Sequence, residues 1–72
     1  MQENDTYIVK KEINLSNGII PIGAIINIKD SSEKDLFNVS ITPFITLNTR
    51  TSKDFKVTKE FINDISSKIK PL

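Results

Sequence analysis

The chain has 72 residues, a length that makes one small domain over 1–72, because single domains usually run to about 100 residues or more and rarely divide below that. Ten Lys and Arg stand against nine Asp and Glu, and the sequence holds no Cys and no His. That excludes disulfides, thiolate chemistry and structural zinc, and removes the usual general base near neutral pH, so neither an enzyme nor a cofactor is expected.

The start MQENDTY lacks the basic-then-apolar pattern of a secretory signal. The longest apolar run, Ile19 to Ile26, is far short of the ~20 residues a spanning helix needs, and Pro21 and Gly23 interrupt it. A cytoplasmic protein with no membrane contact is the expectation, residues 1–5 forming a flexible start. Ile supplies thirteen residues, and its stiff branched side chain suits strands better than helices.

The odd positions from Tyr7 to Leu15 read Tyr7, Val9, Lys11, Ile13 and Leu15, with Lys10, Glu12 and Asn14 between them, which predicts a strand with one wet face. Ser16-Asn17-Gly18 tolerates positive φ and is flanked by apolar runs, so the chain reverses there. Pro21 cannot sit in a central ladder and Gly23 permits a kink, placing a bent approach before a second strand over Ala24 to Ile28. Lys29 to Asp35 has no apolar residue and is read as an exposed loop tip. Phe37, Val39 and Ile41 then alternate with Asn38, Ser40 and Thr42, a third strand that Pro43 closes. Phe44 to Leu47 and Phe55 to Val57 supply a fourth and a fifth, with the polar stretch NTRTSKD between them.

Phe61, Ile62, Ile65 and Ile69 recur at helical spacing. Thr58 is the natural N-cap, Val57 and Ile62 stand at the spacing of a hydrophobic staple, and Pro71 forbids continuation. These signals predict a C-terminal amphipathic helix over 58–70, with Phe61, Ile65 and Ile69 entering the core. The fold class expected is mainly β: about five short antiparallel strands in a bent sheet or small barrel, closed by that helix.

The segment NGIIPIGAIINI, Asn17 to Ile28, resembles a phrase found in small SH3-like β-barrel proteins of bacteriophages and mobile elements: a turn, an apolar-Pro-x-Gly unit and an apolar strand. The resemblance implies an SH3-like barrel and, through it, an accessory protein of a phage or mobile element. It transfers no activity, since such barrels host many unrelated functions.

Charge is uneven along the chain. Residues 1–36 hold four basic and six acidic side chains, net −2, and residues 37–72 six and three, net +3. Arg50, Lys53, Lys56 and Lys59 fall every third residue with only Asp54 opposing them, a candidate rim for nucleic-acid phosphates. The same spacing also suits a solvated face. Phe44, Phe55 and Phe61 nearby can stack bases, but each fits a core position, and large apolar side chains are mostly buried. Asp30, Glu33 and Asp35 could gather a hard cation, but the loop lacks the central Gly and twelfth-position Glu of an EF-hand, so a solvated turn is the better reading. Tyr7 is either an amphipathic interface anchor or a core residue at a barrel edge.

The leading expectation is a small non-enzymatic protein-binding module, an accessory or inhibitory protein, with the loop Lys29 to Asp35 (Lys29, Asp30, Glu33 and Asp35) and the basic segment Arg50 to Lys59 as rims of the interface and Tyr7 as its anchor. A nucleic-acid-binding barrel using the basic rim is the alternative. A structural subunit of a larger assembly is the second, because surplus Ile on the surface suits a homo-oligomer.

Overall fold

The computed structural model describes residues 1–69. Its elements are β1 (Thr6–Val9), β2 (Ile13–Leu15), β3 (Gly18–Ile20), β4 (Ile25–Glu33), β5 (Leu36–Ile45), β6 (Arg50–Thr58), α1 (Lys59–Ile65) and β7 (Ser66–Lys68). The strands form one antiparallel sheet curled into a half-barrel, so the mainly β expectation holds, with seven strands in place of five.

β5 is the central strand. One of its edges pairs with β6, from Leu36↔Thr58 to Ile45↔Arg50. The other pairs with β4 and, at Ile19↔Ile45, with β3. β1 lies beyond β4, β7 beyond β1 and β2 beyond β3. Register puts core residues in rows on the concave face: the buried Tyr7↔Ile26↔Ile41, and the buried Ile28↔Val39 continued by the half-buried Phe55. Ile62 and Ile65 of α1 join that core, each adding about 1.5–3 kcal/mol by burial. In chain order α1 leads from β6 to β7, which end the row β6-β5-β4-β1-β7.

The apolar alternation locates β1 and the middle of β5, but four boundaries differ from expectation. The run Tyr7–Leu15 divides into β1 and β2, because the N–H groups of Lys10 and Lys11 both donate to the Ile65 carbonyl, at 2.7 and 3.3 Å, rather than to a ladder. Lys29–Asp35 is a loop only at Lys34 and Asp35. Before them β4 continues to Glu33, since a strand needs main-chain partners on its neighbour and not apolar side chains. Likewise β5 runs through Pro43, which sits in the register shift between Ile41 and Phe44, and absorbs the expected fourth strand. β6 then begins at Arg50 and takes in most of the polar stretch expected between strands.

The helix starts as expected, with the Thr58 hydroxyl accepting the Phe61 N–H at 3.0 Å, but it ends at Ile65 rather than continuing to 70. Ser66 turns the chain out: its hydroxyl and its N–H both donate to the Ile62 carbonyl, its φ of −147° is extended, and the following residues pair with β1. A ladder against β1 satisfies the backbone that a further exposed stretch of helix would otherwise hold. Ile69 is therefore 40% exposed instead of in the core, and Lys70 lies outside the described residues.

The turn between β2 and β3 is Ser16–Asn17, and neither residue nor Gly18 has positive φ. Gly18 is required by space: a Cβ there would stand 2.5 Å from Phe44 Cζ and 2.8 Å from the Ile45 carbonyl oxygen. Gly23 does supply the conformational freedom expected of it, at φ +91°.

Residues 1–5, expected to be a flexible start, extend the β1–β4 pairing: Asn4 N–H donates to the Ile28 carbonyl at 2.8 Å and Ile28 N–H to the Asp5 carbonyl at 2.9 Å. The Asp5 carboxylate accepts the Gln2 N–H at 2.8 Å and pairs with Lys68 at 3.3 Å. The Gln2 N–H first and the Lys68 ammonium second hold the Asp5 carboxyl below its ordinary value of 3.8. A carboxyl whose pKa falls on folding adds stability above its unfolded pKa and loses it as pH drops through the folded one. The melting temperature of the native chain should thus exceed that of Asp5→Asn at neutral pH, and the gap should close as pH falls below about 4. A gap that stays constant down to pH ~2 rules this contribution out.

Candidate functional site

β6 pairs with β5 alone, and no strand among the described residues pairs with its second edge. Its register against β5 divides its side chains. Lys53, Phe55 and Val57 lie opposite Ile41, Val39 and Phe37 on the concave side, while Asp54, Lys56 and Thr58 lie opposite Ser40, Asn38 and Leu36 on the convex side. Phe55 and Val57 are half-buried against the core, and the other seven residues of the strand are exposed.

Aromatic contacts fix the concave side. The Phe55 ring meets the buried Phe44 ring edge to face, centroids 5.5 Å apart at 65°. Lys53 Nζ lies 5.7 Å from the Phe44 centroid and 6.0 Å from that of Phe55, a cation–π contact of about 0.5–1 kcal/mol at an exposed site. On the convex side Lys29 Nζ pairs with Asp54 Oδ2 at 3.1 Å, Asn38 Nδ2 donates to Asp30 Oδ1 at 2.6 Å, and the hydroxyls of Thr42 and Ser52 meet at 2.6 Å. A shallow depression of about 330 Å³ is bordered there by Lys29, Asp30, Asn38, Asp54 and Lys56.

This arrangement separates the basic residues. A spacing of three on a strand alternates faces, so Arg50 and Lys56 share one face of β6 and Lys53 lies on the other. Lys59 opens α1, and its N–H donates to the Asp35 carbonyl at 2.9 Å. The four do not line one rim, and Asp30 and Asp54 mix negative charge into the face that carries Lys56. The two candidate segments do meet, through Lys29–Asp54 and through Asp35–Lys59. Glu33 lies at the end of β4 and Asp35 in the adjoining turn at φ +61°, both exposed. Tyr7 is 6% exposed and belongs to the core, the second of the two readings its sequence position allows. Phe37, Phe44, Phe55 and Phe61 all pack in or against the core, as large apolar side chains should.

Asn38, from outside the two candidate segments, and Ser52, Asp54 and Phe55, from within Arg50–Lys59, complete the site. The signal for Asp54 and Phe55 was the alternation Lys53-Phe55-Val57 against Asp54-Lys56; Asn38 and Ser52 carried none. Exposed apolar residues elsewhere stand apart along the chain, Leu15 at the end of β2, Ile22 and Leu47 between strands and Ile69 after β7; scattered singly, such residues are ordinary.

Among the described residues no helix is long and apolar enough to cross a membrane. Comparison with known proteins gives no match: no family model, no curated protein and no solved structure matches the chain.

Proposed function

We propose that this is a small non-enzymatic protein-binding module that takes an extended segment of its partner onto the free edge of β6. The observation that carries the reading is that edge: nine residues, Arg50–Thr58, paired among the described residues on one side only. An exposed edge offers a row of main-chain donors and acceptors, and strand addition turns them into affinity while alternate side chains set specificity. Here Phe55 and Val57 supply apolar contact, and Asp54, Lys56 and Lys53 supply charge that orients the incoming chain.

The strand order β7-β1-β4-β5-β6 with a helix between β6 and β7, together with the Asn17–Ile28 phrase, supports placing the chain beside the SH3-like barrels. An accessory or inhibitory role in a phage or mobile element fits that resemblance and a cytoplasmic setting. Nucleic-acid binding draws less support, because its four basic residues are divided between two strand faces and a helix.

Proline tests the edge. N–H groups alternate sides along an antiparallel strand, so of Lys53→Pro and Asp54→Pro one loses an N–H that points away from β5 and the other loses a ladder bond. The first should melt like the native chain. Immobilised native chain should capture a protein partner from its own cells, identified by mass spectrometry, and the folded proline variant should capture none of it. Equal capture by that variant refutes the edge reading, and recovery of nucleic acid in place of protein favours the alternative.

A further inference from the structure

We infer that, in the absence of another partner, the strand that covers β6 is β6 of a second copy, paired antiparallel about a two-fold axis beside Phe55. The inference rests on reading β6 as a strand-accepting edge and adds the identity of one occupant.

The argument is one of register. Opposed residues in an antiparallel pair share a face, so two identical strands related by a two-fold axis must be centred on a residue that faces its own copy. Centring β6 on Lys53, Asp54 or Lys56 sets a charge directly against the same charge, which is destabilising. Centring it on Ser52 avoids this but engages only Arg50–Asp54, which contains no apolar side chain.

Centring on Phe55 engages Ser52–Thr58 and satisfies both faces. On the convex side Asp54 opposes the partner's Lys56, and Lys56 opposes the partner's Asp54. Asp54 already holds Lys29 at 3.1 Å, so the charges would run Lys29, Asp54, the partner's Lys56 across the junction. Ser52 opposes the partner's Thr58, a hydrogen-bonding pair. On the concave side Phe55 meets the partner's Phe55, and Lys53, whose ammonium already stands 6.0 Å from the Phe55 ring centroid, meets the partner's Val57. No like charges oppose each other anywhere in this register. About six to eight main-chain hydrogen bonds form, depending on which alternate residues face outward. β7 and β2 also have a second edge without a strand partner among the described residues, but at three residues each they offer far less to a head-to-tail contact.

The register makes a specific demand on charge. Within the paired segment Ser52–Thr58, the convex side carries only positive charge in Asp54→Lys and only negative charge in Lys56→Asp. Both positions are exposed, and the Lys29–Asp54 pair is a surface pair of little weight, so both variants should fold. Sedimentation equilibrium of the native chain should give about 16 kDa, twice 8.1 kDa, at ~1 mM or below. Each variant alone should be monomeric at concentrations where the native chain is dimeric, its dimerisation weakened at least ~10-fold. An equimolar mixture of the two should dimerise again, because D54K and K56D complement each other across the axis. The folded proline variant should be monomeric as well.

A native dimer that persists in both single variants, a mixture that stays monomeric, or a native chain monomeric at ~1 mM each overturns the inference. Failure here is separable from failure of the proposed function. A monomeric native chain whose partner capture is still abolished by edge proline keeps the strand-accepting edge and loses only the self-pairing. Partner capture that survives edge proline refutes the edge reading whatever the oligomeric state.

Discussion

Ile65→Asp should abolish cooperative unfolding. Ile65 is 2% exposed, packs in the core from the last turn of α1, and its carbonyl receives the N–H groups of both Lys10 and Lys11. Truncating a buried Ile costs about 2–5 kcal/mol. A carboxyl in its place adds the cost of a buried polar group with no partner, several kcal/mol more if it stays ionised, and negative charge at a helix C-terminus is disfavoured besides. A chain of this length has about 4–11 kcal/mol of stability in total, from 0.05–0.15 kcal/mol per residue. Circular dichroism and calorimetry should therefore show no cooperative transition. Ile69→Asp is the matched control: same stripe, same charge, but a site 40% exposed, where the cost should stay within about 1 kcal/mol. A cooperative melt for Ile65→Asp within a few degrees of native would remove α1 from the core.

Gly18→Ala should lower the melting temperature by roughly 5–20 °C, on a cost of about 1–3 kcal/mol for overpacking and about 4–8 °C per kcal/mol in a domain this small. The new methyl would stand 2.5 and 2.6 Å from two ring carbons of Phe44 and 2.8 Å from the Ile45 carbonyl oxygen. Neither neighbour yields easily. The Phe44 ring is 2% exposed and held edge to face by Phe55, while the Ile45 carbonyl belongs to the residue that registers β3 on β5. The double variant Gly18→Ala/Phe44→Leu should be less destabilised than the sum of the two singles, because the smaller side chain vacates the space the methyl enters. A single variant that melts within ~2 °C of native, or strictly additive singles, would show that Gly18 is not there for space.

Those two substitutions also mark the division between what was legible in the residues and what was not. Ile65 could be found from helical spacing, but Ile69, equal to it in that pattern, could not be told apart, because the helix end is set by the pairing of Ser66–Lys68 with β1. Gly18 was identifiable as a turn glycine, yet its steric role depends on Phe44, a residue distant in sequence. Tyr7 offered two readings by type and position, and burial beside Ile26 decided for the core. In the candidate site, the Arg50–Lys59 segment and the Lys29–Asp35 segment both drew attention by charge, while the feature that unites them, a strand with one free edge, has no local signature.

By itself the sequence determined the mainly β class, β1 and the middle of β5, the reversal at Ser16–Asn17, the Thr58 cap and the burial of the Phe residues. All of these follow from side-chain period, turn chemistry or apolar area, which act within a few residues. The tertiary structure alone decided that the polar stretches Lys29–Glu33 and Arg50–Asp54 are strands, that α1 stops at Ile65, that Lys53 parts from Arg50 and Lys56, and that no strand among the described residues covers the second edge of β6. The reason is that strand pairing is a main-chain interaction between segments far apart in the chain, and main-chain donors and acceptors are the same whatever side chains they carry.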